Sequence, residues 1–256
     1  MKYKGFTLVE MLAVIAIIGI LASMLTGALM MVNVKVKQAA IAVEIGNLSM
    51  ALENYKAQYG EYPPDGTDTA ATNRHVKKVF PRTSDTVPVT LNPSTALVFW
   101  LGGIVSDGRP IGFAANPTKP FDSSSSIPRK APFYEFNPDQ LSGYQFMAKS
   151  GGAPYVYFRS KVTNNVGKYG GKSFDGGAEY GKALPYKVKG GVWGSEKSYQ
   201  IIHSGMDGVY SSGSNMTSTN VWRSSSDNSE KTGDLTEGDL DNITNFTQGT
   251  VGDMME

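Results

Sequence analysis

The sequence predicts an α+β fold in which one long N-terminal α-helix packs on a small antiparallel β-sheet with long loops. Three observations predict it. Apolar residues keep a helical spacing through the first sixty positions, short β-prone runs bounded by glycine, proline or asparagine follow, and 29 glycines in 256 residues favour a turn-rich body. With 40% hydrophobic residues the chain can bury a core, so global disorder is not expected.

The first element is a predicted transmembrane helix over residues 6–34. Residues 11–34 are 24 consecutive uncharged residues, and as a helix they span roughly 36 Å, enough for a bilayer core of about 30 Å. Lys2 and Lys4 precede the run and place the N-terminus in the cytoplasm. A secretory signal peptide is the rival interpretation, but the run exceeds a usual signal core and no clear small-x-small cleavage site ends it.

The same helix is predicted to continue beyond the membrane over residues 35–60. One helical face carries apolar residues spaced three and four apart: Ile41, Ile45, Leu48, Leu52, Tyr55 and Tyr59. Gly60 and Pro63 then end the helix. We expect the lower half of this rod to face lipid or copies of itself, while the upper half packs on the body.

Residues 61–256 are predicted to form one globular α+β body with an acidic C-terminal loop region. Residues 65–88 show no regular pattern, and Asn92-Pro93 then marks the start of a short apolar helix that places Phe99 and Trp100 in the core. Four short runs are predicted as antiparallel strands: Phe133–Phe136, Tyr155–Phe158, Pro185–Val188 and Tyr199–Ile202.

Charge is unevenly distributed along the body. Residues 74–197 hold 17 Lys and Arg against 8 Asp and Glu, whereas residues 224–256 hold 8 acids and one lysine. The simplest interpretation is that both the basic and the acidic residues lie on solvent-exposed surfaces that partly neutralise each other. Nucleic acid is not expected as a partner. The alternative function is a binding module that captures DNA or a surface through this basic body, with the densest cluster at Arg74, Lys77, Lys78 and Arg82.

An enzyme is not expected. The chain has no cysteine, which excludes thiol catalysis, disulfides and cysteine-ligated metals. It has two histidines 128 residues apart and neither a Gly-x-Ser-x-Gly nor a Walker A pattern. Any energy for assembly therefore comes from a separate ATPase.

The segment from Lys4 to Glu10, Lys-Gly-Phe-Thr-Leu-Val-Glu, resembles the leader junction of type IV prepilins and type II secretion pseudopilins. The resemblance implies that residues 1–5 are a leader, that a membrane peptidase cuts between Gly5 and Phe6, and that the new amine of Phe6 is methylated. It also implies that Glu10 meets the N-terminal amine of a neighbouring subunit during assembly. Physical chemistry agrees, because a carboxylate at the edge of an apolar helix costs roughly 2 to 4 kcal/mol without a partner.

Two later segments are similar to loops of type II secretion major pseudopilins. One runs from Tyr199 to Tyr210 and includes an Asp-Gly turn, and the other runs from Gly238 to Phe246. The resemblance implies a calcium ion held between them, with candidate ligands Asp207, Asp239, Asp241 and Asn242. Oxygen ligands suit this hard cation, although the spacing is not that of an EF-hand. An ordinary acidic surface is the alternative.

Together these features predict a structural subunit of a pilus-like filament in a type II secretion or type IV pilus system. The resemblance implies that its partners are copies of itself, other pilin-like subunits, the prepilin peptidase and methyltransferase, membrane lipid, and an inner-membrane assembly platform with its ATPase. The predicted location is the bacterial inner membrane, crossed once, with the body in the periplasm until the filament assembles.

Overall fold

The computed structural model describes residues 7–163, 166–169, 171–187, 192–210, 220–221, 237–247 and 249–254, without the side chains of 24–28, 220–221, 237 and 254. The α-helices are α1 (Leu8–Tyr59), α2 (Thr69–Val79), α3 (Gly177–Tyr180) and α4 (Glu237–Leu240). A π-helical turn covers Val98–Gly102, and 3-10 turns cover Pro138–Gln140 and Gly252–Met254.

The strands are short and belong to several small sheets. In chain order they are β1 (Val105–Ser106), β2 (Arg109–Pro110), β3 (Leu141–Ser142), β4 (Gln145–Phe146), β5 (Val156–Arg159), β6 (Lys161–Thr163), β7 (Val166–Lys168), β8 (Phe174–Asp175), β9 (Lys182–Ala183), β10 (Tyr186–Lys187), β11 (Tyr199–His203), β12 (Asn220–Val221) and β13 (Ile243–Thr244).

The long helix is confirmed as one unbroken element. Its C-terminal end is Gly60, whose φ of 79° is the left-handed conformation that glycine adopts without strain, and the Gly60 amide bonds the Lys56 carbonyl at 2.7 Å. The predicted inner face is buried, from Ile41 at 1% exposure to Tyr55 at 1%. On the opposite face Val43 and Met50 are exposed. The upper third of α1 is therefore the part that packs on the body.

A three-stranded antiparallel sheet, ordered β13-β11-β5, lies against this inner face. Alternate residues of its strands point to opposite sides. Tyr157 and Ile201 pack in the core shared with α1, whereas Phe158 and Ile202 pack in a second core on the far side. The Tyr155 hydroxyl donates to Glu44 Oε2 of α1 at 2.5 Å. Both faces of the sheet are consequently covered.

The segment after α1 is held by two buried aromatic side chains. The Tyr157 hydroxyl donates to the Pro63 carbonyl at 2.7 Å, and Trp100 Nε1 donates to the Pro64 carbonyl at 3.0 Å. Trp100 is fully buried in the π-helical turn, as predicted for the core. Asn92 caps the turn at residues 93–95 that leads into the π-helical turn, because its side-chain oxygen accepts the Ser94 amide at 2.9 Å.

Two element predictions are corrected. Residues 65–88 contain the helix α2, which begins at the capping residue Asp68 and buries only a narrow face. Residues 133–136 form a bend and no strand, because the Phe133 amide bonds the Leu101 carbonyl of the π-helical turn and no neighbouring strand pairs with them. The strands predicted at 155–158 and 199–202 are confirmed as the antiparallel strands β5 and β11. Residues 186–187 of the run 185–188 form β10, but β10 pairs with β12 in parallel and not antiparallel as predicted; residue 188 lies outside the described part.

In the part of the chain that the structure describes, no helix has both the length and the apolar character needed to cross a membrane.

Candidate functional site

The beginning of α1 is built around Thr7 and Glu10. Thr7 is the N-cap of the helix, and its hydroxyl oxygen accepts the Glu10 amide at 3.3 Å. The Glu10 carboxylate accepts in return from the Thr7 amide and hydroxyl, each at 2.8 Å. This reciprocal capping box fixes the position of the carboxylate. The Ser/Thr-x-x-Glu spacing is visible in the sequence, so Thr7 could have been recognised there.

Above this cap, α1 projects a bare apolar surface. Large hydrophobic side chains described between Leu8 and Val36 are 41% to 80% exposed. An apolar surface of this extent is normally covered by another molecule. The fold therefore combines a globular body with a projecting N-terminal helix whose apolar side chains are exposed.

A family model described as the prokaryotic N-terminal methylation motif matches residues 1–26. The chain therefore carries the N-terminal signature of type IV pilins and pseudopilins. The comparisons with curated proteins and with solved structures found no match. Glu10 lies inside the matched segment, as do Gly5 and Phe6, the predicted cleavage and methylation residues, which are outside the described part of the structure.

The two loops compared with pseudopilin loops meet in the structure. Asp241 Oδ2 accepts the amides of Met206 and Asp207 at 2.5 and 2.9 Å. Gly205 makes this approach possible: its φ is 68°, and a Cβ there would lie 2.3 Å from the Asp241 carbonyl oxygen. Burial, and then the nearby Asp241 and Asp239, raise the pKa of Asp207. The loops thus bring three carboxylates into one electrostatic environment.

The oxygen atoms at this junction are only partly available to a cation. Asp239 Oδ1 accepts from the Tyr186 hydroxyl at 3.0 Å and from Asn242 Nδ2 at 3.4 Å. Asp241 Oδ1 and Asn242 Oδ1, in contrast, are buried and have no hydrogen-bond donor among the described residues. Among the described residues, no group of three or more His, Cys, Asp or Glu side chains is placed to hold a metal ion. The donor chemistry fits calcium at these two oxygen atoms, and further ligands would have to be carbonyl oxygens or water.

His203 lies next to the junction of these two loops, and it was not predicted from the sequence as part of the site. It is fully buried at the end of β11, where Nδ1 accepts the Gly205 amide at 3.1 Å and Nε2 has no partner. Burial lowers the pKa of His203 to about 3, so the imidazole is neutral at neutral pH.

The basic cluster Arg74, Lys77, Lys78 and Arg82 does not form a uniform surface. Arg74, Lys77 and Lys78 lie on α2, but Lys78 is paired with Glu61 at 3.3 Å. Arg82 follows the helix and is exposed. Part of the charge on which the alternative function, binding of DNA or surfaces, depends is therefore used within the protein.

A second polar network links the end of α1 to α2 and β5. The Tyr55 hydroxyl donates to His75 Nε2 at 2.8 Å, and His75 Nδ1 donates to Glu61 Oε1 at 2.9 Å. Burial lowers the pKa of His75 and keeps the ring neutral, which suits these roles. Burial alone would raise the pKa of Glu61, but hydrogen bonds from His75 and Arg159 lower it to about 2. The carboxylate is therefore ionised at neutral pH and holds three elements together.

Proposed function

We propose that this chain is a structural subunit of a pilus-like filament in a type II secretion or type IV pilus system. The observation that carries the proposal is the methylation motif at residues 1–26, followed directly by an unbroken helix whose apolar surface is bare until it reaches the body. In a filament, neighbouring helices would cover that surface, and the bodies would lie outside. No catalytic residue is part of this role.

The proposed partners follow from the same motif. A prepilin peptidase and methyltransferase would process the N-terminus, and other pilin-like subunits would assemble with the chain on an inner-membrane platform driven by a separate ATPase. Before assembly, the uncharged residues 11–34 would anchor the chain in the bacterial inner membrane, with the body in the periplasm.

The first prediction tests processing and anchoring together. When the chain is expressed with a prepilin peptidase, its intact mass should correspond to loss of residues 1–5 and one methyl group on Phe6. Processed chain should remain in the membrane fraction after an alkaline carbonate wash, because an apolar helix is not released by removing surface charge. A mature N-terminus beyond residue 20, or release of the chain by carbonate, would contradict the proposal.

We also propose that calcium binds where the Asp207 loop meets Asp241 and Asn242. Support comes from the two buried oxygen atoms without donors among the described residues. It also comes from the pKa of Asp207, which burial raises first and the nearby Asp241 and Asp239 raise further. Asp239 would support this site indirectly: it accepts a hydrogen bond from Asn242 Nδ2 and so fixes the orientation of the Asn242 side chain. A cation there would offset the carboxylate repulsion and hold the acidic tail on β11.

The second prediction is that EGTA lowers the melting temperature of the full chain in non-ionic detergent. Binding at a hundredfold excess over the dissociation constant adds about 2.7 kcal/mol, which corresponds to roughly 5 to 10 °C for a chain of this size. The double substitution Asp239→Ala and Asp241→Ala should remove the response. Asp253→Ala, in the same tail, should keep it, because Asp253 bonds the Thr250 amide instead. An identical wild-type melting curve with and without EGTA would mean an ordinary acidic surface.

A further inference from the structure

A cavity of about 380 Å³ opens where the end of α1, the segment after it, α2 and the strands β5 and β6 meet. Pockets that bind small molecules typically measure about 300 to 1,000 Å³. Six basic and three acidic side chains line it: Lys56, Arg74, Arg159, Lys161, Lys172, Lys197, Glu61, Asp65 and Asp68. The lining is therefore positive, and its shape is concave.

Two of the acidic side chains are already neutralised by the protein. Asp65 is 2% exposed, accepts the Arg159 amide at 2.8 Å and the Thr67 hydroxyl at 2.6 Å, and pairs with Lys172. Glu61 Oε2 accepts from Arg159 Nη2 at 2.7 Å. These contacts fix the positions of Glu61 and Asp65 in the cavity wall. The excess positive charge of the cavity therefore comes from the basic residues that do not pair with them.

Arg74 on α2 and Lys161 on β6 contribute part of that positive charge. Neither side chain makes a hydrogen bond or an ion pair with the described part of the chain, and both are exposed. Asp68 caps the N-terminus of α2, and Ala71 and Arg74 follow it at intervals of three residues, so each lies beside the next. The Ala71 amide lowers the pKa of Asp68, burial opposes this, and the positive charges of Lys161 and Arg74 lower the pKa further.

We propose that this cavity binds a small oligoanion of the diphosphate class, with the Arg74 guanidinium and the Lys161 ammonium as its two charged donors. A guanidinium can bind a phosphate group through two parallel N–H donors, and a concave positive site concentrates anions from solution. The cavity lies beside Gly60, about 40 Å along the helix from residue 34. A soluble ligand therefore fits this position, whereas a lipid headgroup at the end of the apolar segment does not reach it.

The test is calorimetric titration of the full chain, in non-ionic detergent and at constant ionic strength, with inorganic pyrophosphate. The wild type should bind at one saturable site. The double substitution Arg74→Glu and Lys161→Glu should raise the dissociation constant at least roughly tenfold, because it removes both charged donors. Since neither exposed side chain makes a hydrogen bond or an ion pair with the described residues, the variant should keep its fold, which circular dichroism would check.

The matched control is Lys77→Glu with Lys119→Glu. It makes the same change in net charge at two exposed lysines outside the cavity, so pyrophosphate should bind it as it binds the wild type. Equal weakening in both double variants would show attraction to net charge alone and would overturn the proposal. Absence of saturable binding to the wild type would overturn it as well.

Discussion

Replacing Glu10 with alanine should lower incorporation of the chain into filaments at least tenfold while leaving the amount of membrane-bound chain unchanged. Under the proposed function, the carboxylate pairs with the N-terminal amine of a neighbouring subunit. Removing it from an isolated chain relieves a desolvation cost, whereas removing it from the assembly leaves the amine without a partner. A difference of about 1.4 kcal/mol per subunit contact is already a factor of ten. Sheared filaments and membrane fractions, quantified from the same cells, give both numbers.

The capping box supplies a matched control for this experiment. Glutamine at the third position of a helix also completes a capping box, so Glu10→Gln keeps the hydrogen bond to the Thr7 amide and removes only the charge. Thr7→Val does the opposite, because it removes the cap hydroxyl and keeps the carboxylate. If pairing matters, Glu10→Gln assembles as poorly as Glu10→Ala, and Thr7→Val assembles better than either. Normal assembly of Glu10→Gln would assign the effect to the cap.

Trp100→Ala should have the largest effect on stability, about 3 to 5 kcal/mol in the free energy of unfolding. The indole is fully buried, makes edge contacts with Tyr55 and His75, and donates to the Pro64 carbonyl. The substitution removes the side chain that joins α1, α2 and the segment between them. For a chain of this length, this corresponds to a fall of roughly 6 to 20 °C in melting temperature, measured on the full chain in non-ionic detergent.

Two variants separate the contributions of the indole. Trp100→Phe retains an aromatic ring and should cost less, about 1 to 3 kcal/mol, mainly because the buried Pro64 carbonyl loses its donor. Met50→Ala, on the exposed face of α1, should change the free energy by under about 0.5 kcal/mol. A loss below about 1 kcal/mol for Trp100→Ala would show that the body does not depend on this junction.

The helical rod was predictable because its signals are local. Residues 41–59 carry an uninterrupted apolar spacing and Gly60 follows it, so the observed helix differs from the prediction only near residue 7. The helix α2 was missed because it buries Thr72 and His75 beside Val76 and Val79. Two of these four side chains are polar, and a periodicity based on apolar residues does not register them.

The predicted strand at Phe133–Phe136 shows the opposite error. Its aromatic residues are β-prone, but a strand requires a neighbour to pair with, and which segments become neighbours is a tertiary property. The candidate sites differ in the same way: local spacing can be seen in the sequence, whereas contacts between distant segments cannot. Glu10 and Thr7 are three residues apart and can be found by spacing, whereas Asp207 and Asp241 meet across 34 residues and were linked only through resemblance. The cavity at Arg74 and Lys161 combines four separate segments, and no pattern in the chain indicates it.

The unbroken course of α1 has a mechanical consequence. Its contacts with the body are distributed along the helix axis from Ile41 to Tyr55, and the helix continues without a break from them into the projecting part. A tension applied along that axis loads these contacts simultaneously, in shear, and does not peel them away one at a time. The lifetime of the junction under load is then set by the rate of forced unfolding and not by its equilibrium stability. The body should stay attached to its stem until the whole inner face separates in a single step.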